Sequence, residues 1–180
     1  LALPADLAEH VVSVNSFSKY FGMTGWRLGW LVLPERLVPA IEKLAQNLYI
    51  CPSTLSQRAA LACFEPESLA WCEQRRQELK QRRDAVLPRL PGVGLDVPVV
   101  PDGAFYIWAN CRNLCARLGI NTGPDQGSWA LAFALLEQAR VALAPGRDFG
   151  HHRTHDFVRL SLASSDADWE TALQRLEALW

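Results

Sequence analysis

The sequence predicts a mixed α/β chain, and three observations carry that expectation. Short runs rich in Val, Leu and Trp, at residues 11–16 and 28–33, do not alternate cleanly with polar residues. That is the pattern of strands buried on both faces of a parallel or mixed sheet. Longer stretches with apolar residues at helical spacing follow, interrupted by further β-prone runs. Lastly, Lys19 stands just past the first apolar run and Arg27 just before the second, with Gly22 and Gly25 in the link. A buried lysine is costly and loses its charge readily, which suits it to Schiff-base chemistry. The planar fork of an arginine matches phosphate oxygens.

The elements follow in order. Residues 1–10 are a short lead in which Pro4 and Asp6 open a helical turn. Pro34 and Glu35 start a helix. Its Leu37, Ile41, Leu44 and Leu48 share one face, and Pro39 is tolerated in the first turn. Thr54 with Gln57 has capping-box spacing, and Leu55, Ala59, Ala60 and Cys63 continue a second helix. Pro66 to Ser68 opens a third, reaching about Leu87. Its charged middle, residues 73–84, reads as a solvated face with mixed-sign pairs rather than a nucleic-acid surface. Pro91–Gly94 is a turn, Leu95–Val100 a strand, and Ala104–Ala109 a second, strongly β-prone strand.

Residues 121–127 form a loop of turn formers. A helix over Ser128–Gln138 then points Leu131, Leu135 and Leu136 to the core. Val141–Ala144 is a short buried strand, ended by Pro145–Gly150. His151, His152 and His155 read as solvated loop residues rather than metal ligands. Phe157–Ala163 is the last strand. Asp166 caps a final helix with Trp169, Leu173, Leu176 and Leu179 on one face.

Composition bounds the function. The 180 residues are enough for one medium domain or two small ones. With 49% hydrophobic and 21% charged residues, the composition is that of an ordinary globular protein. A net charge of −1 argues against a general nucleic-acid or membrane-surface role. No apolar run approaches the roughly 20 residues that span a bilayer, and no secretion signal is visible. The expected compartment is therefore the cytoplasm. The five cysteines, Cys51, Cys63, Cys72, Cys111 and Cys115, are odd in number and irregularly spaced. They read as reduced thiols. Cys111 and Cys115 have helical spacing, but two thiols alone make a poor metal site, and no metal is expected.

The stretch Ser16-Phe17-Ser18-Lys19, a glycine-containing link, then Gly25-Trp26-Arg27-Leu28-Gly29 resembles the lysine signature of the class I/II aminotransferases. These are fold-type I enzymes that use pyridoxal 5′-phosphate (PLP). Two further stretches match the same family, Pro101-Asp102-Gly103-Ala104-Phe105-Tyr106 and Pro145-Gly146-Arg147-Asp148-Phe149-Gly150. The resemblance implies the C-terminal part of a PLP-dependent transferase fold. Residues 1–66 would be a remnant of the PLP-binding large domain with interdomain helices, and residues 67–180 the small α+β domain. Members of the family are considerably longer, with the lysine past the middle, so a longer parent protein is expected.

The resemblance also implies roles. Lys19 would be the catalytic amine, bonded to the cofactor aldehyde and then serving as general acid and base. Arg27 would bind the cofactor phosphate, with Ser16 and Ser18 as further ligands, although either serine could instead satisfy local backbone. Arg159 lies in an otherwise apolar strand, where an unpaired guanidinium is expensive. The family places its substrate-carboxylate arginine in that setting; an internal salt bridge is the alternative.

The implied activity is transfer of an amino group from an amino acid to a 2-oxo acid by a homodimer. A PLP-dependent lyase, such as a carbon–sulfur lyase, and a non-enzymatic aminotransferase-like regulatory module are the alternatives. The family supplies the acid at the ring nitrogen, the stacking aromatic, an Asn and a Tyr near the 3′ oxygen, and the phosphate cradle upstream of the lysine. No stretch here matches those parts, so this chain alone is expected to bind PLP weakly and to lack transaminase activity. Its uncovered apolar faces are expected to drive self-association.

Overall fold

Two short strands, β1 (Ser13–Ser16) and β2 (Gly29–Val32), pair antiparallel with Ser13 opposite Val32 and Ser16 opposite Gly29, in a computed structural model that describes residues 4–123 and 126–179. Where the sequence predicts strands buried on both faces of a parallel or mixed sheet, the described residues form a two-stranded antiparallel ladder. Val14, Leu31 and Val32 stay exposed. A single ladder has no second layer to cover either face. The strands approach closely at Gly29, where a Cβ would stand 2.5 Å from the Asn15 carbonyl oxygen.

The chain packs as two units, one through Arg76 and one from Gln77. The first also holds α1 (Ala5–Ala8), α2 (Val38–Leu48), α3 (Thr54–Leu61) and the start of α4 (Pro66–Val86). The apolar stripe of α2 forms as its spacing predicts, yet Leu44 and Leu48 are exposed. The N-cap of α3 is Ser53 rather than Thr54, and no side chain closes that cap. Phe17, Met23, Ala60 and Cys63 form a small buried cluster, with Phe21, Leu28 and Ala59 packed around it.

The second unit is built on a three-stranded antiparallel sheet. Its strands are β3 (Tyr106–Asn110), β4 (Ala144–Pro145) and β5 (Phe157–Ser161), in the order β3-β5-β4. Alternation places Ile107, Ala109, Val158 and Leu160 in the core. There they meet α5 (Arg112–Arg117), α6 (Gly127–Gln138) and α7 (Asp166–Glu177) through Leu114, Leu131, Leu135, Leu173 and Leu176. Trp169 of α7 packs against the same core, as does Leu179, which the sequence predicts on this helix but which lies just beyond its end at Glu177.

Residues 95–100 form no strand beyond one bridge between Asp96 and Asn110, and Val99 and Val100 are exposed. Pro98 and Pro101 have no N–H to give a ladder. The strand predicted at 141–144 is confined to Ala144–Pro145. On α6, Leu131 and Leu135 are fully buried but Leu136 is 48% exposed. One residue of helix turns a side chain about 100° away from its neighbour. The final helix is capped by Ser165, not Asp166: the Ser165 hydroxyl accepts from the Asp168 N–H, and the Asp168 carboxylate accepts from the Ser165 N–H.

Two arginines of the charged helix also depart from a merely solvated face. Arg82 donates to the Asp166 carboxylate and to the Leu162 carbonyl at 2.7 Å, and Arg83 donates to the Pro101 carbonyl at 2.7 Å. Part of the loop predicted at 121–127, Pro124 and Asp125, lies outside the described residues.

Candidate active site

β1 feeds the loop 17–28 and β2 receives it. The neck is closed by two backbone bonds, Phe17 N–H to the Leu28 carbonyl at 3.1 Å and Met23 N–H to the Phe17 carbonyl at 3.0 Å. Burial of Phe17 and Met23 pulls the apolar side of the loop inward. Lys19, Ser16 and Arg27 are left exposed and Ser18 half-buried.

A relay of hydrogen bonds fixes the polar side. The Ser16 hydroxyl accepts from the Ser18 N–H at 3.0 Å. The Ser18 carbonyl accepts from the Thr24 hydroxyl at 2.6 Å. The Thr24 carbonyl in turn accepts from Arg27 Nη1 at 2.9 Å. Of the residues predicted for the cofactor, Ser18, Lys19 and Arg27 thus stand on the loop and Ser16 at the end of β1, and the relay links Ser16, Ser18 and Arg27 through Thr24. Its only signal is a hydroxyl between two glycines, a type that readily bonds nearby backbone. Ser16 does satisfy local backbone, as its alternative reading has it, but a hydroxyl can donate while it accepts, and among the described residues no hydrogen bond uses the Ser16 proton. Arg27 adopts a left-handed backbone, φ 51°, which is uncommon for a residue with a Cβ and marks a constrained position.

Around the loop, the Tyr20 hydroxyl donates to the Glu73 carboxylate at 2.7 Å. That bond raises the tyrosine pKa and, with a second from Arg76, lowers that of Glu73. Cys63 donates to the Met23 thioether at 3.1 Å, and burial pushes its thiol up. An open cleft of about 1060 Å³ lies beside Arg27, with Asn15, Trp26, Trp30, Tyr49 and Ser56 among its walls.

Arg159 belongs to the second unit. It sits on β5 between Trp108 of β3 and Ala144 of β4. Its Cζ lies 4.1 Å from the ring centroid of Tyr106 and 4.2 Å from that of Phe149. Among the described residues no carboxylate pairs with it. Phe149 is carried by the Pro145–Gly150 turn. There Gly146 is buried so tightly that a Cβ would stand 2.2 Å from the Thr154 carbonyl oxygen.

Asp156 is buried beside Arg153, Arg112 and His155, whereas His151 and His152 are exposed. Cys111 donates to the Asp156 carbonyl at 3.2 Å, and its thiol is pushed well up by hydrogen bonding with Cys115 and by burial. Among the described residues no three His, Cys, Asp or Glu side chains converge. None of the described helices is long and apolar enough to cross a membrane.

Comparison with known proteins identifies the family. The model of the family described as aminotransferase class I and II matches residues 2–176. The valine–pyruvate aminotransferase of Mycobacterium tuberculosis is 40% identical over 169 residues, covering 94% of this chain and 41% of that protein. An aspartate aminotransferase of Geobacillus stearothermophilus is 36% identical over 175 residues, 97% of this chain and 42% of that protein. Among solved structures, an aromatic aminotransferase from Pyrococcus horikoshii matches with a TM-score of 0.83 at 33% identity, over 98% of this chain and 44% of the other. The chain therefore spans about two fifths of the length of the relatives it matches. Its mixed helices and sheets correspond to part of the PLP-dependent transferase fold. From its second residue almost to its end, the chain belongs to the class I and II aminotransferases.

Proposed function

We propose that the protein to which this chain contributes transfers an amino group from an amino acid to a 2-oxo acid, with PLP as cofactor. The observation that carries this reading is the segment from Ser16 at the end of β1 to Arg27, which brings an amine, a guanidinium and two serine hydroxyls onto one short stretch, with Ser16, Ser18 and Arg27 tied through Thr24. That donor set fits an aldehyde bearing a phosphate. Lys19 is the residue for the aldehyde. Arg27 and the Ser16 hydroxyl suit the phosphate, the arginine by its fork and the serine by the proton it still has to donate. Ser18 contributes its backbone to the relay, and its hydroxyl is the further ligand.

When bound, PLP supplies the electron sink for chemistry at the substrate α-carbon. The Lys19 amine is the group of this chain that takes and returns the proton at that carbon. Arg159 is read as the partner of the substrate carboxylate, an assignment supported by the lack of a carboxylate beside it among the described residues. A cytoplasmic homodimer is proposed with this activity. The exposed Val14, Leu48, Ile50 and Leu55 of the first unit support a larger assembly. This chain taken alone is proposed to bind PLP weakly.

The test uses the whole protein. PLP is added, the adduct is reduced with borohydride, and the labelled peptide is mapped. The label is expected on Lys19, and Lys19→Ala is expected to lose both the label and amino-group exchange between amino acid and 2-oxo acid. A label on another lysine, or exchange that survives Lys19→Ala, refutes the assignment. Ammonia release without an oxo-acid acceptor would place the protein among the lyases.

A further inference from the structure

The outward face of the second unit's sheet is aromatic. Trp108 stacks on Phe157, with centroids 5.5 Å apart, and Phe149 meets Trp108 edge-on at 5.8 Å. Tyr106 is diagonal to Arg159 across the β3–β5 ladder, since Tyr106 faces Ser161 and Trp108 faces Arg159. Diagonal neighbours on one sheet face are within reach of long side chains. Arg159 is the cation in this row, half-buried, with the Tyr106 and Phe149 rings each about as close to its Cζ as stacking allows.

We propose that Tyr106 and Phe149 are positioning residues: they hold the Arg159 guanidinium by its faces and present its N–H edge to a planar carboxylate. The proposal rests on the reading of Arg159 as the carboxylate ligand. Aromatic faces attract a guanidinium without using its in-plane N–H groups. A carboxylate neighbour would instead occupy the fork, and would cancel the charge that an incoming anion needs. A lone arginine would have to be ordered at every binding event, a cost that the two rings remove beforehand. Phe149 is itself set by the buried Gly146 turn and by Trp108, so the clamp does not depend on one flexible contact.

The two substrates of the proposed reaction carry the same carboxylate, so loosening the clamp weakens both alike. In the whole protein, Phe149→Leu and Tyr106→Leu are each expected to raise KM for the amino acid and for the 2-oxo acid by about 3- to 30-fold. kcat is expected to stay within about twofold, because the interaction is the same in ground and transition states. Tyr106→Phe keeps the ring and is expected to restore both KM values. Arg159→Lys, which keeps the charge but loses the fork, is the control for the underlying assignment.

If Arg159→Lys raises KM and neither ring variant does, the clamp is refuted and the carboxylate assignment stands. If Arg159→Lys leaves KM unchanged, both fall. Ring variants that lower kcat at constant KM, or that affect one substrate only, also refute the clamp. Should Tyr106→Leu fail to fold, Phe149→Leu decides alone, since its ring is 44% exposed and its loss leaves the core intact.

Discussion

The Thr24 hydroxyl donates to the Ser18 carbonyl at 2.6 Å, and this bond joins the serine half of loop 17–28 to the arginine half. Thr24 also passes the link on, because its carbonyl holds Arg27. Thr24→Val keeps the shape and removes the donor. One such bond contributes about 0.5–1.5 kcal/mol, so PLP affinity is expected to fall by roughly 2- to 12-fold. Titration of the whole protein with PLP, followed by absorbance, reads this directly. Unchanged affinity would mean that the relay does not organise the site.

Gly29 and Gly25 look alike in the motif but differ in the structure. A Cβ at Gly29 would overlap the Asn15 carbonyl oxygen, while nothing lies within 4 Å of one at Gly25. Gly29→Ala must push β1 and β2 apart, at a cost of about 1–3 kcal/mol. Gly25→Ala is expected to change stability by no more than about 0.5 kcal/mol. Denaturant unfolding of the two variants side by side checks the contrast, and equal effects would contradict the strand register.

On α6, adjacent leucines are predicted to behave oppositely. Leu135→Ala empties a fully buried site and is expected to cost about 2–5 kcal/mol. Leu136→Ala, at the exposed neighbour, is expected to cost well under about 1 kcal/mol. A large effect at Leu136 would show that its side chain is covered in solution.

Acid should weaken the second unit. The Asp168 carboxyl is held below its ordinary value by the Ser165 hydroxyl and then by the Ser165 N–H. Glu170 is held down by Arg89 and then Gln174. A carboxylate with a lowered folded-state pKa adds stability above its unfolded pKa, and that stability is lost as pH falls through the folded value. Thermal melts are therefore expected to drop as pH falls below about 4. Ser165→Ala should be less stable than the parent at neutral pH, with the gap narrowing towards acid. A gap that widens in acid would reverse the assigned sign.

Thiol chemistry should single out one cysteine. Cys51 is exposed, whereas Cys63, Cys72, Cys111 and Cys115 are buried. An aromatic disulfide reagent is expected to label Cys51 rapidly in the native chain and the other four only on unfolding. Cys51→Ser should abolish the rapid phase. A rapid phase that persists would show that one of the buried thiols opens readily.

Much of this was legible in the sequence because it is local. Lys19 and Arg27 lie on one short stretch, so their spacing already constrains them to one loop. The helices α2, α6 and α7 announce themselves through apolar residues at helical spacing that no distant contact has to supply, and α4 through its Pro66–Ser68 start and mixed-sign charges. The β-prone run predicted over Ala104–Ala109 does form β3, shifted to Tyr106–Asn110. What misled were features that need a partner. Residues 95–100 have β-prone side chains, yet Pro98 within the run and Pro101 just after it withhold donors that a ladder requires. The apolar runs of β1 and β2 have the composition of buried strands, but burial belongs to whatever packs against them.

By itself, then, the amino-acid sequence determined the family, the helical periods and the loop on which Lys19 and Arg27 stand, since each depends on neighbours along the chain. Only the tertiary structure decided that Arg159 has two aromatic rings and no carboxylate beside it among the described residues. The Arg159 arrangement joins Tyr106, Phe149 and Arg159 from three separate segments. No local pattern encodes such a meeting, because it arises from strand pairing and the turn at Gly146.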